Sequence, residues 1–393
     1  MTSGCLILSK VFLNLSSCWW LQMINFVKIS LYKESCTMTT SSNELSETTK
    51  KLQPNRRQRR PIRKHHRLKL AFFIFCIMFV SASGVFFYKF TKLYQQARQT
   101  ATKVYSSAHI SKVRDTQQLL QQGKPISILL MGTDTGALGR NFKGRTDTLI
   151  VLVLNPQKQK MTLVSLPRDA LVAIYGFENS YPSKLNSAYD YGGSGTAVKT
   201  VQKYLNIPID FYATINMGGL ENLVNAVNGV TITPTLTFSY GGYSFKKNIK
   251  QDLNGKQALA YVRMRHSDPL GDYGRQLRQR QVLTAISHKG SNLKSLMSST
   301  FFNEIGNELR TDLTFKDLEL LAFKYRHTSR NLVSDHAQGT QDVIDGVSFE
   351  AVSENEKQRV TNELRKALQL ESATTGNTLS SSNQININSS NDQ

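Results

Sequence analysis

The chain has 393 residues, 40% of them hydrophobic, with 49 Lys and Arg against 28 Asp and Glu, a formal net charge of +21. That length holds one large domain or two small ones, and that apolar fraction excludes a wholly disordered chain. Residues 1–88 carry 13 basic and 3 acidic side chains, so the rest is only moderately basic and suits an anionic partner without demanding nucleic acid.

From the N-terminus, residues 1–37 are apolar in patches broken by Lys10, Lys28 and Lys33. Met38 opens a polar stretch, which makes it a candidate translation start and residues 1–37 upstream sequence. Residues 50–69 hold ten Lys or Arg and no acid, and the uncharged run Leu70 to Tyr88 follows at once. At about 1.5 Å per residue that run covers the hydrocarbon core of a bilayer. The basic excess before it keeps the N-terminus in the cytoplasm and places everything after Tyr88 outside. The alternatives are a buried core helix or a signal peptide cut near Ala82 or Ser83; Phe86 and Phe87 extend the apolar run past that cut and favour a retained anchor. No aromatic residue interleaves the basic run, so it reads as a topology signal beside membrane lipid, not a nucleic-acid platform. The cysteines, Cys5, Cys18, Cys36 and Cys76, all lie at or before the span, which excludes a disulfide scaffold and a cysteine zinc site downstream.

Residues 89–124 read as a helical stalk, 125–370 as the folded domain, and 371–393, rich in Ser, Thr and Asn, as a disordered tail. Within the domain, Ile126–Met131, Thr148–Leu154, Met161–Leu166, Phe211–Ile215 and Val230–Phe238 have strand character. Thr196–Leu205, Leu220–Val227 (closed by Gly229), Gln257–Arg263, Gln276–His288, Leu293–Leu309 and Phe315–Tyr325 have helical periodicity. Two fully apolar strands imply a sheet covered on both faces. The expected fold is an α/β/α sandwich with a mixed central sheet.

Three loops beside strand-like runs end in charge: Gly132-Thr133-Asp134, Arg145-Thr146-Asp147, and Ser165-Leu166-Pro167-Arg168-Asp169. Asp134 and Asp147 either converge on a divalent cation, which takes hard oxygen ligands, or cap turns and pair with Arg140 and Arg145. Asp169 either caps the segment after it or orients Arg168. Lys184, before Leu185-Asn186, is on its own a solvated side chain. Arg263, Arg265, Arg275 and Arg278 fall within 17 residues. Arg275, Arg278 and Gln279 stand at i, i+3 and i+4, one helix face, and crowded guanidiniums there suit a dense anion such as a phosphate. Arg263 and Arg265 converge only if the helix ends near Arg263. Arg275, just after Gly274, then sits near a helix N-terminus that favours an anion. Arg280 points elsewhere and reads as ordinary surface.

The motifs GTD at 132–134, RTD at 145–147, SLPRD at 165–169, KLNSAY at 184–189, ALAYVRMRH at 258–266 and DYGRQLRQRQ at 272–281 together resemble the LytR–CpsA–Psr family of Gram-positive cell-envelope enzymes. The short basic segment and single span resemble it as well. The resemblance implies an α/β/α domain outside the cell membrane, held by one type II anchor. It implies transfer of a glycopolymer linked to polyprenyl pyrophosphate (wall teichoic acid or capsular polysaccharide) onto peptidoglycan. It further implies Mg²⁺ on Asp134 and Asp147, a pyrophosphate among Arg145, Arg168, Arg263, Arg265, Arg275 and Gln279, Lys184 near the head group, Asp272 orienting the arginines, and a lipid tail in the apolar core. A pyrophosphatase using water as acceptor needs the same site. A membrane-bound transcription regulator would need a DNA-binding fold that residues 38–69, with Pro54 and Pro61, do not encode. The motifs carry no sign of oligomeric state.

Overall fold

The computed structural model describes residues 63–133, 144–265, 267–290, 306 and 308–376. Its first element is a 42-residue helix, α1 (Arg63–Val104). Phe72, Phe79 and Phe86 on this helix are 65%, 66% and 72% exposed, and it is the one helix among the described residues long and apolar enough to cross a membrane. The part of this helix from Leu70 to Tyr88 is exposed nearly all round among the described residues, and apolar side chains on every face suit lipid. Met38 and most of the basic run lie outside the described residues.

The expected stalk needs correction. The helix ends at Val104, and the next, α2 (Thr116–Gln122), is separately capped by Asp115, whose side chain accepts from the Gln118 N–H. Ala101, Val104, Ala108 and Leu120 are buried, so these residues already belong to the domain core. Their small and apolar side chains are spaced too widely to stand out in a Gln-rich stretch.

The strands run in chain order as β1 (Ile126–Thr133), β2 (Thr146–Asn155), β3 (Lys160–Ser165), β4 (Leu171–Val172), β5 (Ser183–Lys184), β6 (Phe211–Asn216), β7 (Val230–Ile232), β8 (Phe238–Tyr240), β9 (Tyr243–Phe245), β10 (Gln251–Leu253), β11 (Leu309–Thr311), β12 (Asn331–His336), β13 (Thr340–Ile344) and β14 (Val347–Ala351). The helices after α2 are α3 (Ser187–Leu205), α4 (Met217–Ala226), α5 (Gly255–Arg263), α6 (Asp272–Gly290), α7 (Phe315–Lys324) and α8 (Glu354–Ala367).

The six-stranded sheet has the order β11-β6-β1-β2-β3-β12. It is mixed: β1–β6 and β3–β12 are parallel, while β1–β2, β2–β3 and β6–β11 are antiparallel. Alternate residues of the apolar strands feed opposite layers. Leu129, Met131, Val151, Val153 and Val164 meet Val198, Val201 and Leu205 of α3 and Val360 and Leu364 of α8. On the other face, Ile126, Ile128 and Phe211 meet Leu120, Leu313 and Tyr325, while Ile150, Met161 and Leu163 have Leu283 of α6 against them. The α/β/α expectation from two doubly apolar strands therefore holds. A satellite core joins α4, α5 and α6 to β7–β10.

Three expectations shift. Val230–Phe238 is not one strand: β7 pairs with β10 and β8 with β9, and Pro234, between them, cannot donate to a ladder. Thr196–Leu205 is the second part of α3, which begins at Ser187 and kinks at Gly192 and Gly193. Leu293–Leu309 lies almost wholly outside the described residues, and its last residue opens β11. Residues 371–376, expected in the tail, are held in place, and residues 377–393 lie outside the described residues. Gln358 Nε2 donates to the Ala373 carbonyl at 2.9 Å and Lys357 Nζ to the Gly376 carbonyl at 3.0 Å.

Candidate active site

The charged loops collect at one end of the sheet. The register sets Thr133, the last residue of β1, against Thr146 at the start of β2, and Ser165, the last of β3, against Ile150. Leu166 N–H still donates to the Leu149 carbonyl at 2.9 Å, and Pro167 then turns the chain, its carbonyl accepting from Ala170 N–H at 3.1 Å. Arg168 and Asp169, both half-buried, form the corner of that turn. The β4–β5 pair and the bond from Asn186 N–H to the Arg168 carbonyl (2.9 Å) hold the corner from behind.

Arg168 donates to the Asp147 carboxylate. Asp169 lies 3.3 Å from Arg168 Nε and 3.2 Å from Lys184 Nζ, so it orients both cations. From the other side, α6 delivers Arg275 in its first turn, with its guanidinium 2.7 Å from Asp272 Oδ1 and donating to the Asp147 carbonyl at 3.2 Å. Asp147 thus receives Arg168 on its side chain and Arg275 on its backbone. Burial works against the charge on Arg168, but Asp169, Asp147 and Asp272 outweigh it and hold its pKa above the ordinary value. Arg275 goes the other way. Burial, with Arg168 and Arg265 as like charges, draws its pKa down despite Asp272 and Asp147. An anion lying against Arg168, Arg265 and Arg275 would offset that repulsion.

Several buried polar atoms on the same helix have no hydrogen-bond partner among the described residues: Arg275 Nε, Gln276 Oε1 and Gln279 Oε1. Gln276 was not anticipated from the sequence. It stands four residues after Asp272 and donates to it at 3.1 Å, a spacing that was available as a signal. Arg265 is exposed and lies within electrostatic range of Arg275, since α5 ends at Arg263 and Met264 is extended, with ψ 133°. The break in the helix that the sequence required is present. Arg263 and Arg145 are exposed, and no ion pair fixes either among the described residues.

Two arginines do not behave as expected. Arg278 is 1% exposed. It pairs with Asp268 and donates to the carbonyls of Tyr261 (3.1 Å) and Met264 (2.6 Å). Three residues along a helix turn the side chain by about 60°, enough to aim Arg278 at the end of α5 while Arg275 faces the sheet. Gly274 permits this, since a Cβ there would lie 1.9 Å from Asp268 Oδ2. Arg280 is not surface either. It is buried, donates to Ser165 Oγ at 2.6 Å and Ser334 Oγ at 2.8 Å, and burial, opposed by Asp335, pulls its pKa down to about 10. Small hydroxyl side chains on β3 and β12 gave no sequence signal for it.

Asp134 and His266 lie outside the described residues. No group of three or more His, Cys, Asp or Glu gathers for a metal among the described residues. Asp147, the one expected ligand in view, has the hard oxygen donors that Mg²⁺ takes, but here it faces Arg168.

An α/β/α sandwich thus carries a guanidinium–carboxylate cluster at one end of its sheet, and a helix long and apolar enough to cross a membrane precedes it. The LytR_cpsA_psr family model matches residues 87–366, and the chain belongs to that family. It is 42% identical over 300 residues to the polyisoprenyl-teichoic acid–peptidoglycan teichoic acid transferase TagU of Enterococcus faecalis, covering 76% of this chain and 96% of the relative. It also resembles the crystal structure of TagU from Bacillus subtilis, with 33% identity, a TM-score of 0.50, and coverage of 63% of this chain and 98% of that one. The structure of TagT bound to LIIa-WTA gives 28% identity, a TM-score of 0.55, and coverage of 67% and 99%.

Proposed function

We propose that this protein is a membrane-anchored phosphotransferase that moves an anionic glycopolymer, such as wall teichoic acid or capsular polysaccharide, from polyprenyl pyrophosphate to peptidoglycan. The support is the name carried by the Enterococcus faecalis relative, matched over 96% of its length, and the bound LIIa-WTA of the TagT structure. The observation that carries the reading is the meeting of Arg168 and Arg275 on Asp147, with Arg265 in electrostatic reach. The excess of basic residues before the span supports a domain outside the cell by the positive-inside rule.

In this reading a peptidoglycan hydroxyl attacks the phosphorus next to the polymer. A new phosphodiester forms, the bond to the other phosphate breaks, and polyprenyl phosphate leaves. Negative charge grows on the leaving phosphate, and Arg168, Arg265 and Arg275 stabilise it more in the transition state than in the ground state. Gln279 and Lys184 border the head group, and Arg145 and Arg263 meet it from the exposed rim. Asp272 and Asp169 fix the directions of Arg275 and Arg168. Mg²⁺ held by Asp134 and Asp147 would supply further positive charge at the phosphate oxygens when bound.

The test is transfer of a synthetic lipid-linked glycopolymer to peptidoglycan by the full chain in detergent. Arg168→Ala and Arg275→Ala each lower the rate by about 10²–10³, the usual effect of losing one such donor, with the melting temperature held. Wild-type transfer by both variants would overturn the reading. Polyprenyl phosphate released at full rate without peptidoglycan would instead make the protein a pyrophosphatase.

A further inference from the structure

The β13–β14 hairpin has no part in the motifs, yet its root enters the site. Glu350 N–H donates to the Asp169 carbonyl at 2.8 Å, and an isolated bridge joins Ala170 to Glu350. The Glu350 side chain accepts the hydroxyl of Tyr273. That hydroxyl in turn accepts the Gly339 N–H at 2.7 Å. Phe349 is buried beside it, with Lys184 Nζ 5.8 Å from its ring centre, and the His336 ring lies 5.0 Å from that of Tyr273. Gly339 leaves room for this crossing, since a Cβ there would stand 2.7 Å from Glu350 Cγ.

Tyr273 follows Asp272 directly and precedes Arg275 by two residues in the first turn of α6. Asp169 follows Arg168. One residue of the hairpin therefore holds both halves of the guanidinium cluster, the corner after β3 by its backbone and α6 by its side chain. We propose that Glu350 is a positioning residue for the transfer reaction, acting through the Tyr273 hydroxyl and the Asp169 carbonyl to hold Arg168 and Arg275 at one separation. The physical basis is general. A fixed separation lets two guanidiniums share one phosphate group, and a misplacement of about 1 Å costs roughly 10²-fold in rate. A carboxylate acceptor makes the Tyr273 bond one of the stronger kind.

The proposal rests on Arg168 and Arg275 being the anion-binding pair, and the experiment separates the two ideas. Steady-state transfer is measured for Tyr273→Phe, Glu350→Gln, Glu350→Ala and the double variant Tyr273→Phe/Glu350→Ala, with melting temperatures, and with Arg275→Ala and Val343→Ser as controls. Val343 lies on the same hairpin and is exposed. Tyr273→Phe removes one hydroxyl and keeps the ring on His336, so it tests the link even if Glu350→Ala fails to fold. The expected result is kcat reduced by about 10-fold to 10²-fold in Tyr273→Phe with KM for the lipid donor within about twofold. Glu350→Gln, which keeps an acceptor, recovers most of the rate, the double variant is no worse than the poorer single, and Val343→Ser is wild type. Wild-type kcat in Tyr273→Phe, additive losses in the double variant, or no recovery in Glu350→Gln overturns the proposal. If Arg275→Ala is itself fully active, the site assignment fails. If Arg275→Ala is inactive and Tyr273→Phe is not impaired, only the positioning role fails.

Discussion

Arg275 and Arg278 are three residues apart on one helix, and the structure assigns them opposite consequences. Consider Arg278→Ala. The guanidinium removed is 1% exposed. Its partner Asp268 has a side chain only 5% exposed. Truncation leaves that carboxylate buried without its cation and takes a donor from each of the Tyr261 and Met264 carbonyls. Breaking a buried pair from one side costs about 3–5 kcal/mol. For a domain of this size each kcal/mol lowers the melting temperature by roughly 2–4 °C, so the expected fall is about 6–20 °C. The assay is thermal unfolding of the full chain in detergent, with transfer measured well below the transition and normalised to folded protein. Activity per folded molecule stays within a few-fold of wild type, because Arg278 points away from the cluster around Asp147. Adding Asp268→Asn recovers part of the loss by neutralising the stranded charge. A melting temperature within 2 °C of wild type, together with lost transfer, would place Arg278 among the anion-binding side chains and refute the argument.

Gly274→Ala attacks the same pair from the backbone side, since its Cβ would lie 1.9 Å from Asp268 Oδ2; a melting temperature lowered by an amount similar to that of Arg278→Ala is expected, and an unchanged one counts against the close approach. Stability should also depend on pH through Glu363. Burial and a hydrogen bond shared with Asp335 push its pKa up from the usual 4.5 to about 7. The folded state then keeps a proton that the unfolded chain gives up. This contribution is complete below about pH 4.5 and is lost as pH rises towards 7. Glu363→Gln should flatten the melting temperature between pH 5 and 8, and a slope equal to that of wild type contradicts the assignment.

The layered fold was legible in the sequence because β1 and β2 are apolar on both faces, so neither face had a solvent option. The corner at Arg168 and the helix end at Arg263 were legible because Pro167 and the segment after Arg265 break regular structure beside charge. Helical spacing did not reveal which arginine of α6 faces inward. Charge lies on several faces of that helix, and Gly274, read as the residue before the helix, stands inside its first turn against Asp268. The β12–β14 region carried no pattern, because its side chains are largely exposed and its pairing is decided by partners far along the chain. Glu350 illustrates the limit: it meets Tyr273 across 77 residues, and no local period records such a contact.

The segment after α8, residues 371–376, bears on where the gene can be cut. Arg365 Nε donates to the Glu371 carbonyl at 2.5 Å and Lys357 Nζ to the Gly376 carbonyl at 3.0 Å. A Cβ at residue 376 would stand 1.5 Å from the Lys203 carbonyl oxygen, which shows how closely the backbone is seated there. A nonsense codon placed right after α8 would strip both cations of those acceptors. Reporters and purification handles therefore belong after Gly376, not at the end of α8.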